Sequence, residues 1–191
     1  MNALAHSIEG MYSRVRNPAS EGLALQSIRY LSKALPQVVD DPADVVAREQ
    51  ALIGAYLSGL VISNARVGIH HGLCHGLGSM GGLSHGMANA IFLPHAMRFN
   101  LEAAQDQLAM AATAFDTAAH ALPAAEAALA AVESVSRLQQ RLGLPSRLRD
   151  SGLDRGLLPR LARHAMSDRG LYFNPRLASE AEVLDLLESA W

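Results

Sequence analysis

At 191 residues the chain has the length of one domain with a proper hydrophobic core. Half of it is apolar yet only 5% is aromatic, and alanine and leucine supply most of the apolar residues, a balance that favours helices over strands. A net charge of −2 argues against a nucleic-acid surface or a polybasic membrane face, and a single cysteine excludes an internal disulfide and fits a reducing, cytoplasmic setting.

The opening stretch "MNALAHSIEGMYSRV" is helical in pattern and carries charge at once, unlike a signal peptide. In "NPASEGLALQSIRYLSKAL", Asn17 takes the N-cap and Pro18 the first helical position, with Leu23, Ile28, Leu31 and Leu35 at roughly helical spacing. "DPADVVAREQALIGAYLSGLVISNA" repeats the device at Asp41 and Pro42 and predicts a long central helix. The longest apolar run, "ALIGAYLSGLVISNARVGI", is broken by Ser58, Asn64 and Arg66 and reads as too polar to span a bilayer. The segment "GMANAIFLPH" reads as helix up to Pro94, and residues 123–143 as a helix with Gly143 just past its end. Ser179 and Glu182 have capping-box spacing before Val183, Leu186, Leu187 and Ala190. No run alternates with period two for long enough to predict a strand. The expectation is one all-α domain, a helical bundle over residues 1–191.

Five of the eight histidines fall within "GIHHGLCHGLGSMGGLSHGMANAIFLPH". His71 and His75 are four apart, so on a helix they share a face, and Asn2 and His6 have the same spacing. With His85 at a helix start, these residues could surround one point with imidazole nitrogens, common ligands for zinc or iron. The glycines around them (Gly72, Gly76, Gly78, Gly81, Gly82, Gly86) each cost a helix roughly 1 kcal/mol relative to alanine, which folded proteins tolerate where a backbone must approach something closely. Gly76, Gly78 and Gly81 also spell G-x-G-x-x-G, but no strand precedes them, so a dinucleotide loop is not expected. Cys74 lies out of phase with the His71 face and reads as apolar packing. His70, one residue off that face, is left either lining another part of the pocket or meeting solvent. His95 reads as structural, and His120 and His164 as surface residues.

"MNALAHSIEGMYSRVRNPASEGLALQSIRYL", "GIHHGLCHGLG", "LSHGMANAIFLPHAMRFN" and "YFNPRLASEAEVLDLLESAW", in that order, resemble the C-terminal helical domain of the iron-containing alcohol dehydrogenase superfamily. The details "NALAH", "HHGLCH" and "NPR" are most similar to its maleylacetate reductase branch. The resemblance implies metal ligands at Asn2, His6, His71 and His85, and a further histidine, His75, facing nicotinamide and substrate. It implies catalytic roles for His75, His71 and His85. Asn2 departs from the aspartate of the metal-dependent branch, so the affinity for iron or zinc is expected to fall. Gly72 departs from the lysine that the reductase branch tends to carry. The family's nucleotide-binding domain has no counterpart in these residues, so NAD(P)H is expected only if a partner subunit supplies its site.

Three readings of function stay open on these residues. One is a reductase domain for a small carbonyl or enol substrate, dependent on a separate nucleotide-binding subunit. Another is a cofactor-free acid/base enzyme (isomerase, cyclase, dehydratase or decarboxylase) using the histidine pocket. The third is a non-catalytic binding or assembly subunit. A homo-oligomer is expected, with no nucleic-acid or membrane partner.

Overall fold

The computed structural model describes residues 1–191 as ten α-helices with three short 3₁₀ segments and no β-strand. In chain order the helices are α1 (Asn2–Tyr12), α2 (Pro18–Asp40), α3 (Val45–Asn64), α4 (Ile69–Ser79), α5 (His85–Phe99), α6 (Gln105–Phe115), α7 (Ala124–Arg141), α8 (Leu158–Ala165), α9 (Gly170–Phe173) and α10 (Glu180–Ser189). The all-α expectation holds.

Several helix ends sit where the side chains direct them. Asn17 Oδ1 accepts from Ser20 N while Ser20 Oγ accepts from Asn17 N, closing a capping box, with Pro18 next in line. Ser179 and Glu182 form a second box at α10. Gly143 follows α7 with φ +66°, a backbone conformation that glycine adopts freely.

Three boundaries differ from the sequence reading. The cap of α3 is Asp44, whose side chain accepts from Ala47 N, rather than Asp41. The two prolines at 36 and 94 lie inside helices instead of ending them. At Pro94 the reason is visible. Proline has no N–H for the carbonyl four residues back, and Gln139 Nε2 donates to that carbonyl, Ala90 O, at 2.9 Å. The freed acceptor is satisfied from α7, so the helix continues.

Two cores lie side by side. The first is built from α1, α2, α3, α6 and α7, with Leu4, Ile8, Met11, Ile28, Val61, Leu108 and Val135 among its buried side chains. The second joins α4, α5, α8 and α10 through Ile69, Leu73, Phe92, Leu161, Val183 and Leu187. Helix α5 serves both, sending Leu93 and Met97 into the first and Ile91 and Phe92 into the second. Apolar residues on two faces of one helix are what a position between two cores requires.

Helix α3 takes in most of the apolar run and ends before Arg66. By length and composition alone it passes for a membrane span, its most apolar 18 residues having a mean hydropathy of 1.3. In the fold it buries only Ala47, Gly54, Ser58 and Val61. Val45, Leu52 and Tyr56 on its opposite face are exposed.

Candidate functional site

The histidines meet at the seam between the cores. Helix α1 presents Asn2 and His6 one turn apart, α4 presents His71 and His75 one turn apart, and α5 begins with His85 directly after its cap, Ser84. The His6 and His71 rings stack with centroids 4.6 Å apart. His71 lies 5.8 Å from His85 and 6.3 Å from His75, and the last two rings are nearly parallel at 6.2 Å. His71 is buried, Asn2 and His6 half-buried, and His75 and His85 exposed. The group therefore descends from an open face into the seam. All five residues expected from the sequence come together.

Glu9 is the participant that the sequence reading misses. It is wholly buried one turn beyond His6. Its Oε2 lies 2.5 Å from His71 Nδ1, and its Oε1 accepts from the backbone N–H groups of Gly68 and His70 at 2.8 and 3.0 Å. One carboxylate thus holds the ring of His71 and the N-terminus of α4 together, where the helix dipole favours negative charge. Burial pushes the Glu9 carboxyl up, but its close contacts with His71 and His70 more than reverse this and hold it well below the ordinary carboxylate range. A buried glutamate at i+3 from His6 in an otherwise apolar stretch was the available signal.

His70 does not meet solvent: it is fully buried against His71, with Nε2 3.2 Å from Asn89 O. Glu9, His70 and His71 are also the one set of His, Cys, Asp or Glu side chains whose ligand atoms converge within 4.8 Å. That set is closed off by its own hydrogen bonds and reads as a buried support beneath the face. Cys74 is buried in the second core, and burial pushes its thiol pKa well up, as expected of a packing residue. His120 and His164 are exposed.

At Gly68 and Gly72 the protein itself closes in on the backbone. A Cβ at Gly68 would stand 2.8 Å from Asn174 Oδ1 and 3.0 Å from Glu9 Oε1, and one at Gly72 would stand 2.7 Å from Leu171 Cδ1. Small residues here let the 168–174 segment close on α4. A side chain at Gly72 would have to displace the end of Leu171. The segment brings Asp168, whose Oδ2 lies 2.8 Å from His75 Nδ1. It also brings Asn174, whose Oδ1 accepts from Ile69 N at 3.2 Å at the start of α4.

His95 stands apart from this group. It lines a groove of about 610 Å³ with Arg98, Arg176, Glu182, Asp185 and Ser189. Burial and then Arg98 and Arg147 lower its pKa to about 4, against a backbone hydrogen bond at Ser146. Between pH 4 and 6.5 the unfolded chain binds the proton and the folded chain does not, so stability should rise with pH across that window. A contribution of about 1–2 kcal/mol, discounted for partial exposure, is expected. Denaturant midpoints measured across this range should climb less steeply in His95→Gln, and an unchanged slope would remove His95 from the account.

The donor set has the chemistry of a divalent-metal site. Burial, then the neighbouring His71, lowers the His6 pKa to about 4, and burial together with His71 and His75 lowers that of His85. Imidazoles kept neutral are available as ligands. If His71 Nδ1–H donates to Glu9 Oε2, an Nε2 lone pair faces Asn2 Oδ1 at 3.0 Å. A cation between these two atoms, or an Asn2 amide turned so that its NH₂ donates, satisfies that contact. The spacing is also that of two ligand atoms each about 2.1 Å from a shared metal at a right angle. The residues fit the group.

Over residues 1–191 the chain matches the family described as Fe-containing alcohol dehydrogenase family, C-terminal. It belongs to the iron-containing alcohol dehydrogenases. It is 33% identical over its whole length to 1,3-propanediol dehydrogenase of Citrobacter freundii, covering 49% of that protein. It is 37% identical to maleylacetate reductase 2 of Cupriavidus pinatubonensis, covering 50%. The crystal structure of a 1,3-propanediol oxidoreductase superposes on all of the chain with a TM-score of 0.97 at 33% identity, using 50% of that structure. The chain therefore spans about half the length of the relatives it matches in this family, and both the alcohol dehydrogenase and maleylacetate reductase branches are among them.

Proposed function

We propose that the chain is the metal- and substrate-side half of an NAD(P)H-dependent reductase for a small carbonyl or enol compound. The nucleotide-binding half comes either from the same polypeptide or from a separate subunit. The observation that carries this reading is the grouping of Asn2, His6, His71 and His85 at one seam, His71 within 3.0 Å of Asn2, stacked on His6 and 5.8 Å from His85, with His75 at the rim. Asn2, His6, His71 and His85 hold the metal, which when bound supplies Lewis acidity toward a carbonyl oxygen. The chain's own side chains do the rest. Glu9 behind His71 keeps that ring in place, burial keeps His6 neutral, and Asp168 holds the Nδ1 side of the exposed His75, leaving its Nε2 to pass a proton.

Titration of the purified protein with zinc(II) or iron(II) should give one site per chain, lost in His71→Ala and His85→Ala. Asn2→Asp restores a carboxylate to the ligand set and is expected to tighten binding about tenfold or more. Oxidation of NAD(P)H by a small aldehyde or ketone should appear only when the nucleotide-binding half is present. Absence of any metal site, with nicotinamide oxidation equally absent in the completed protein, would sink the reading.

One observation favours a second reading. The His75–Asp168 pair, 2.8 Å apart and partly exposed, is equipped for general-base work without any cofactor. Turnover of an enolisable substrate without nicotinamide, abolished in His75→Ala, would establish that instead.

A further inference from the structure

Beneath the open face lies a buried carboxylate that the ligand set itself does not contain. Glu9 is 0% exposed, and its two oxygens are used differently. Oε1 accepts two backbone N–H groups, from Gly68 and His70. That side of the group is fixed as an acceptor, because a donor there would oppose two donors. Oε2 faces His71 Nδ1. The backbone thus sets the orientation of the whole carboxyl, and the carboxyl sets the ring.

A neutral imidazole carries one proton on one of two nitrogens. Placing an anion against Nδ1 puts the proton there, so the lone pair stands on Nε2, which points at Asn2 Oδ1. We propose that Glu9 is the positioning residue of this site: it fixes His71 in the Nδ1–H tautomer, turns the Nε2 lone pair toward Asn2, and supplies from behind the negative charge that Asn2 does not. This deepens the metal reading of the site and rests on it for the consequence, though not for the tautomer. Carboxylates behind ligating histidines act in this way generally, and their removal typically costs 10–100-fold in metal affinity.

Glu9→Gln separates positioning from packing, since the two side chains have nearly the same shape. The glutamine oxygen must stay on the Gly68 and His70 N–H groups, which aims its NH₂ at His71 Nδ1. Nδ1 then has to accept, and the proton moves to Nε2. The variant keeps the cap of α4 and loses the lone pair.

The experiment is nitrogen NMR of the His71 ring at neutral pH, without metal, in wild type and Glu9→Gln, together with calorimetric titration of zinc(II). The expected result is Nδ1–H in wild type, Nε2–H in the variant, and zinc(II) affinity lower by 10–100-fold in the variant. Wild-type His71 protonated on Nε2, or the same tautomer in both proteins, overturns the assignment. An unchanged zinc(II) affinity despite a switched tautomer overturns it too. The wild-type spectrum alone is decisive if the variant does not fold. Should wild type take up no zinc(II), the metal reading of the function fails, and the tautomers still judge Glu9.

Discussion

Asn174→Ala is expected to lower stability by about 3–4 kcal/mol, because it leaves several buried polar groups without partners at once. Asn174 is almost wholly buried. Its amide exchanges two hydrogen bonds with Asn100, at 2.9 and 2.7 Å, accepts from Ile69 N and donates to Arg176 O at 2.8 Å. Truncation strands both ends of the Asn100 amide, the first N–H of α4 and a carbonyl of the 174–176 turn. Loss of one partner costs more than loss of both, so the double variant Asn100→Ala with Asn174→Ala should be less destabilised than the sum of the singles. Chemical denaturation of the three variants measures this directly. Strict additivity would mean that the Asn100–Asn174 pairing contributes nothing of its own.

The same variant reaches the site. Ile69 N opens the helix that carries His71 and His75, and the 168–174 segment carries Asp168. Loosening that junction should weaken zinc(II) binding and broaden the His75 resonances together. Stability and site geometry share one hydrogen-bonded joint here.

Much of this was legible from residue types. Helix starts are written locally, so Asn17–Pro18 and Ser179–Glu182 give themselves away. The histidine pairs share a face because 3.6 residues make a turn, and His85 joins them because Ser84 caps α5 beside them. What stayed hidden depends on tertiary partners. Pro94 looks like a helix end until Gln139, far along the chain on α7, supplies the missing donor. His70 looks like a solvent or pocket residue until the Asn89 carbonyl receives it. Glu9 shows its part only once Gly68, His70 and His71 have folded against it across some sixty residues. The glycine-rich run signals close approach correctly at Gly72, where Leu171 comes in, while Gly82 and Gly86 stand in open space.

The second large effect concerns the placement of α1, which delivers Asn2, His6 and Glu9. Gly10 lies where α1 crosses α3, and a Cβ built there would fall 2.1 Å from Val61 Cγ1. Two opposed effects follow from Gly10→Ala. Alanine is the better helix former by about 1 kcal/mol. Against that, Val61 is fully buried and β-branched, so in a helix it has essentially one rotamer and cannot swing aside. The helices must part, which opens the packing of neighbouring Ile8 and Leu4, and overpacking of this kind costs about 3 kcal/mol. The clash wins, and a net loss of about 2 kcal/mol is expected, with weaker zinc(II) binding because Asn2 and His6 move relative to His71. Val61→Ala removes the opposing methyl groups. The double variant Gly10→Ala with Val61→Ala should therefore be more stable than Gly10→Ala alone and should recover the metal affinity, even though Val61→Ala by itself leaves a cavity and destabilises. Equal thermal midpoints for Gly10→Ala and wild type would show that α1 settles against α3 without needing a bare backbone at this crossing.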